Sequence, residues 1–175
     1  MPQPNIILTG FMGTGKTTLG RLLAERIDYD FIDTDAEIEK QIGQTIAELF
    51  QTQGEAAFRK LESKLVEDLA QKERLVIATG GGLVLNPKNV AALRKTGGII
   101  CLTASADEIL ARVSKQEDVR PLLKERNPQA KIIALLRQRE AIYQQFPQLS
   151  TSKRTPEELV NLLLKHTSLR KTPSP

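Results

Sequence analysis

Apolar residues along this chain follow two rhythms. Short unbroken runs at 6–9, 31–33, 75–78 and 98–102 end in aspartate, glycine or threonine-containing stretches, as expected of strands buried on both faces. Between them, apolar positions recur every three or four residues over 16–27, 36–70, 87–95, 106–113, 128–143 and 156–166, the period of amphipathic helices. A weaker strand is expected at 148–152. Strands that alternate with helices are joined by right-handed crossovers, so the pattern predicts an α/β domain of three layers: a five-stranded parallel sheet flanked by helices on both faces.

Ligands of such sheets gather at the C-terminal ends of the strands. There the first strand runs into Gly10-Phe11-Met12-Gly13-Thr14-Gly15-Lys16-Thr17-Thr18, a G-x-x-x-x-G-K-T phosphate-binding loop. Glycine lets the loop fold back with its N–H groups inward, and the helix beginning near Lys16 adds a positive N-terminal end. Lys16 brings a mobile charge for the β and γ phosphates, and the Thr17 hydroxyl suits Mg²⁺. A chance match in a glycine-containing loop is the competing reading. The strand before it and the helix after it weigh against that reading.

The second strand closes on Asp33-Thr34-Asp35, where one carboxylate near Thr17 can hold Mg²⁺ through water and the other can meet an acceptor hydroxyl. Helix capping by Asp35, ahead of Ala36-Glu37-Ile38, explains the pair equally well. Thr79-Gly80-Gly81-Gly82 follows the third strand and offers bare backbone N–H groups, or is only a flexible turn. All these stretches follow strand ends and should share one cleft. Arg59, early in a long helix, reads by default as a solvated residue.

Composition narrows the ligand. A chain of 175 residues suits one α/β domain, and 25 Lys plus Arg against 21 Asp plus Glu leave a net charge of only +4. There is no uninterrupted basic tract, aromatic residues are 4% and Trp is absent, so a small anion is favoured over nucleic acid. The single cysteine, Cys101, sits in an apolar run and reads as a buried hydrophobe, and the single histidine, His166, as a solvated residue near the end of the last helix. No signal-like leader precedes the first strand and no 18-residue apolar run occurs, so no membrane association and a cytoplasmic location are expected. One domain is expected over 1–167, and the polar, proline-rich stretch 168–175 is expected to be disordered.

In order along the chain, G-F-M-G-T-G-K-T-T, F-I-D-T-D, I-A-E-L-F, G-E-x-x-F-R, the triple glycine, V-R-P-L-L and R-x-x-x-Y resemble the shikimate kinases. The resemblance covers nearly the whole chain. It implies a P-loop kinase fold with a mobile lid over about 112–127, a shikimate-binding helical region over about 34–61, and transfer of the γ-phosphoryl of ATP to the 3-hydroxyl of shikimate. It assigns ATP to Gly13, Thr14, Gly15, Lys16, Thr17 and Thr18, with Thr17 on Mg²⁺ directly and Asp33 through water. Asp35 becomes the base that meets the acceptor hydroxyls, and Arg59 and Arg139 clamp the substrate carboxylate with Gly80, Gly81 and Gly82 closing the third side. Lys16, Asp35 and Arg120 would carry the chemistry, with Arg120 delivered by the lid. Planar guanidinium forks on separate elements are the natural holders of a carboxylate. Arg112, Arg154 and Pro156 are expected on the adenine side, although Arg112 stands one position farther from Arg120 than in many relatives. The stretch Leu149-Ser150-Thr151-Ser152 also lacks the family's Asp-Thr ending. A monomer is expected from the resemblance.

Overall fold

The computed structural model describes residues 3–115 and 126–166. Five strands, β1 (Asn5–Gly10), β2 (Asp30–Asp33), β3 (Leu75–Ala78), β4 (Gly97–Thr103) and β5 (Gln148–Ser150), form one sheet in the order β2-β3-β1-β4-β5. Every neighbouring pair is parallel. Among the described residues, seven α-helices lie between the strands and one follows the last: α1 (Lys16–Ile27), α2 (Thr34–Ile42), α3 (Ile46–Gln53), α4 (Glu55–Leu69), α5 (Pro87–Arg94), α6 (Ala106–Val113), α7 (Pro128–Tyr143) and, after β5, α8 (Pro156–His166). The expected helical stretch 36–70 divides at Gly43 and Gly54, both at positive φ, where the chain turns from α2 to α3 and from α3 to α4. The fifth strand is shorter than expected and ends at Ser150.

All six residues of β1 are buried, and alternate side chains serve opposite faces. Ile7, with Ile77 and Ile99 beside it in register, belongs to a core that includes Phe11, Phe58, Leu65, Ile132 and Tyr143. Ile6 and Leu8 face a second core with Leu19 and Leu23 of α1 and Leu159, Val160 and Leu163 of α8. Cys101 is fully buried, as its apolar neighbours predict.

The chain leaves β1 for the β2 edge, returns through β3, and then crosses to β4 on the other side of β1. The strand ends around β1 and β3 therefore part, and the crevice between the departing connections opens there. Arg120 and most of the expected lid, and the tail 168–175, lie outside the described residues.

Candidate active site

The loop after β1 owes its path to glycine. Gly10, Gly13 and Gly15 have φ of 131°, 72° and 94°, and a Cβ on Gly10 would run into the Leu102 carbonyl of the neighbouring strand. The Thr14 side chain is buried and donates to the Phe11 carbonyl at 2.7 Å, so this residue has only its backbone left for a ligand. Lys16 Nζ bridges the carbonyls of Gly10 and Phe11, both at 2.8 Å. Its ammonium thus sits across the hollow of the loop. Helix α1 begins at Lys16 with no acidic residue of its own in the first turn, so its positive end favours a bound anion.

At the end of β2 the two aspartates divide their work differently from the capping assignment open at the sequence level. Asp33, not Asp35, is the N-cap of α2: its Oδ1 accepts from the N–H groups of Asp35 at 3.1 Å and Ala36 at 3.3 Å. Its other oxygen accepts from the Thr17 hydroxyl at 2.7 Å. Strand direction decides this, because extended geometry ends at Asp33 and helical geometry begins at Thr34. Asp35 is left half-buried in the first turn, facing the cleft.

The triple glycine is a floor against which three side chains press, and no positive φ requires it. A Cβ on Gly80 would lie 2.5 Å from Asp35 Oδ1, on Gly81 3.2 Å from Arg139 Nη1, and on Gly82 2.6 Å from both terminal nitrogens of Arg59. Any side chain there would displace the groups that define the site. Thr34 accepts from the Gly80 N–H at 2.9 Å, and Tyr143 donates to the Gly81 carbonyl at 2.8 Å.

Arg59 is not the solvated residue of the default reading. Its Nη1 donates to Glu62 Oε2 at 2.7 Å, its Nε and Nη2 donate to Glu55 Oε1 at 3.1 and 2.7 Å, and it lies 5.3 Å from the Phe58 ring centre. Glu62 has no exposed surface and keeps Oε1 without a hydrogen-bond partner among the described residues. Burial pushes its carboxyl up, outweighing the opposing pull of Arg59. The sequence reading gave Glu62 no role. Its signal was a carboxylate on the apolar stripe of α4, which otherwise buries Phe58, Leu65, Val66 and Leu69.

Arg139 approaches from α7 and lies 5.5 Å from the Phe11 ring centre. Arg112 reaches from α6 to the Gly13 carbonyl at 3.1 Å and the Thr151 hydroxyl at 3.0 Å, which puts it beside the phosphate loop. Glu108 fastens the start of α6 to the chain after β5, accepting from Ser152, Ser105 and the Lys153 N–H, and these bonds, Ser152 foremost, hold its carboxyl down at about 2.

The resulting cleft of about 520 Å³ brings together Gly13, Gly15, Lys16, Thr17, Thr18, Asp33, Asp35, Arg59, Gly80, Gly81, Gly82, Arg112 and Arg139. Ile46, Phe50 and Phe58, which belong to the motifs I-A-E-L-F and G-E-x-x-F-R but had no role assigned from sequence, supply an apolar wall, and Phe50 stands 41% exposed, edge-on to Phe58. Arg154 and Pro156 do not line this cleft. Arg154 is exposed, bonds the Ser150 carbonyl at 2.9 Å, and borders a separate depression with Glu158 and Asn161. No group of three or more His, Cys, Asp or Glu suited to a metal occurs among the described residues. The Thr17 hydroxyl and Asp33 carboxylate still fit Mg²⁺, a hard cation that takes few protein oxygens and completes its shell with phosphate and water.

The family model for shikimate kinase matches residues 12–168. A shikimate kinase of Caldicellulosiruptor bescii is 48% identical over 154 residues, 87% of this chain and 89% of the relative. One of Pelotomaculum thermopropionicum is 52% identical over 139 residues, 79% of this chain and 80% of the relative. Among solved structures, the shikimate kinase of Acinetobacter baumannii in complex with shikimate superposes with a TM-score of 0.86 at 36% identity, covering 93% of this chain and 92% of that one.

Proposed function

From the premise that this chain belongs to the shikimate kinase family, we propose which of its residues perform the reaction. The chain is an ATP-dependent phosphotransferase that moves the γ-phosphoryl of ATP to the 3-hydroxyl of shikimate, giving shikimate 3-phosphate and ADP. ATP lays its phosphates in the loop after β1, against the N–H groups from Gly13 to Thr18. Lys16 exchanges the carbonyls of Gly10 and Phe11 for β- and γ-phosphate oxygens. The Thr17 hydroxyl would hold Mg²⁺ directly and Asp33 would hold it through water, and the ion would supply positive charge against the phosphates.

Shikimate lies across the triple glycine, with its carboxylate between Arg59 and Arg139 and its ring against Phe50 and Phe58. Its 3-hydroxyl oxygen forms the new bond to the γ-phosphorus while the bond from that phosphorus to the bridging oxygen breaks, and the bond's electrons leave with ADP. Asp35 accepts the hydroxyl proton. Arg120 belongs to this scheme as the positive group brought over the transferring phosphoryl. On the nucleotide side Arg112 flanks the base, while Arg154 and Pro156 reach it only if the chain after β5 moves toward the cleft. One chain supplies all these groups, in line with a monomer, and an ATP-dependent reaction is in line with a cytoplasmic site. Among the described residues, no helix is long and apolar enough to cross a membrane.

One arrangement carries this reading: two guanidinium groups on different helices close on Gly81 and Gly82 of one loop, with Asp35 at Gly80 and the phosphate loop alongside. Two fixed forks and a carboxylate discriminate a small hydroxylated carboxylate from a flexible polyol or a nucleotide. The test is ATP consumption with shikimate, gluconate or CMP as acceptor. Turnover with shikimate alone is expected, and equal turnover with gluconate would overturn the acceptor assignment.

A further inference from the structure

The R-x-x-x-Y pattern at Arg139 and Tyr143 leaves its tyrosine without a part in the scheme above. Four residues apart on α7, the two side chains share one face. Tyr143 is 6% exposed, with its ring packed in the core around Ile7 and Phe11. Its hydroxyl donates to the Gly81 carbonyl at 2.8 Å. That oxygen and Arg139 Nη1 are the side-chain atoms nearest a Cβ on Gly81, at 3.5 and 3.2 Å. Directions of bonding follow from chemistry: guanidinium only donates, and the single phenolic proton goes to the carbonyl, so in any bond between the two the phenol oxygen accepts from Arg139. Burial pushes the Tyr143 hydroxyl up, and the Arg139 guanidinium beside it pulls the other way.

The loop needs such a tie. Within it, the Gly80 carbonyl accepts from the Leu83 N–H and the Gly82 carbonyl from the Leu85 N–H, both local turn bonds. Gly81 alone has its carbonyl held by a distant residue, 62 positions away. Because the peptide is planar, a Gly81 carbonyl turned toward Tyr143 fixes the Gly82 N–H in the opposite direction. Three consecutive residues without side chains are held by bonds to their backbone alone, and among those bonds this one sets the direction of that plane.

We propose that Tyr143 is a positioning residue for the acceptor site: its hydroxyl, accepting from Arg139 and donating to Gly81, joins the guanidinium and the glycine floor into one preformed unit. This rests on the assignment of Arg139 to the shikimate carboxylate. Preorganisation of this kind acts on affinity for the acceptor and leaves the nucleotide side alone.

Steady-state kinetics of Tyr143→Phe, Arg139→Ala and the double variant test it. Tyr143→Phe keeps the ring and should raise the KM for shikimate about 5-fold to 30-fold, with kcat and the KM for ATP within about threefold. On the Arg139→Ala background the same change should add less than about twofold, because the unit is already broken. A full additional factor in the double variant, or an unchanged KM for shikimate in Tyr143→Phe, overturns the proposal while leaving the role of Arg139 standing. An unchanged KM in Arg139→Ala removes that role and this proposal together. A measurement on the unaltered protein is independent of how Tyr143→Phe folds: without substrate, backbone order parameters of Gly81 and Gly82 should be near 0.85, and values below about 0.6 refute the tie.

Discussion

Arg59 and Arg139 owe their proposed work to where their charges are held. Charge-assisted hydrogen bonds are worth about 1.5–3 kcal/mol each, so replacing either arginine by alanine should weaken shikimate binding about 10-fold to 100-fold. Calorimetry should find ATP affinity, measured without shikimate, unchanged in both variants. Glu62 is a different kind of residue, a carboxylate that holds Arg59 while itself removed from water. Its folded-state pKa is raised above the ordinary 4.5. The native state therefore binds this proton more tightly than the unfolded chain does, and the stability it contributes is full below 4.5 and falls as pH rises through the folded value. Melting curves of the wild type and Glu62→Gln should then converge or cross in favour of Gln as pH rises from about 4.5, since the amide has nothing to ionise. Equal pH dependence in the two proteins would mean that burial does not govern this carboxyl.

At the scale of elements, the junction of β2 and α2 carries two functions on one side chain. Asp33 caps α2 and meets Thr17. Asparagine caps as well as aspartate, whereas loss of a cap to alanine costs about 1 kcal/mol. Asp33→Asn should therefore keep the melting temperature and raise the Mg²⁺ requirement, while Asp33→Ala should do both kinds of damage. Asp35→Asn should instead lower turnover at every Mg²⁺ concentration, because the proposed base is lost and the cap is not. Identical Mg²⁺ titrations for Asp33→Asn and Asp35→Asn would reject this division. The start of α1 gives the matching case for charge: Lys16→Met should keep the fold and lose turnover by orders of magnitude.

For the molecule as a whole, the cleft joins the loop after β1, the loop after β3, and helices α1, α2, α3, α4, α6 and α7. Ligands that span it bind only the folded chain. At 100 times its Kd a ligand adds about 2.7 kcal/mol, which in a chain of this size raises the melting temperature by roughly 5–10 °C. Shikimate and ATP should each produce such a shift. In Arg59→Ala the shift with a fixed shikimate concentration should shrink while the ATP shift survives, and loss of both would show that Arg59 supports the fold more than the acceptor site.

Sequence alone determined the strand and helix order and the phosphate loop, because these rest on contacts within one turn, one strand or one loop, and the parallel sheet followed from the alternation of strands and helices through right-handed crossovers. Lys16, Thr17 and the glycines around them are legible for that reason: their geometry is local, and the strand before and helix after are visible in the apolar pattern. Only the tertiary structure decided what depends on distant neighbours. The cap at Asp33 and not Asp35 turned on where β2 stops pairing with β3. Glu62 became part of the site through burial of the α4 face, and the glycines at 80–82 became a floor through Asp35, Arg139 and Arg59, which arrive from three other helices. Arg154 follows the same logic in reverse, since the resemblance puts it on the adenine side while the chain after β5 carries its side chain outside the cleft. A one-dimensional pattern records which residues are apolar and how far apart they stand. The direction in which a polar side chain finally points is set by the packing of elements that meet only in the folded chain.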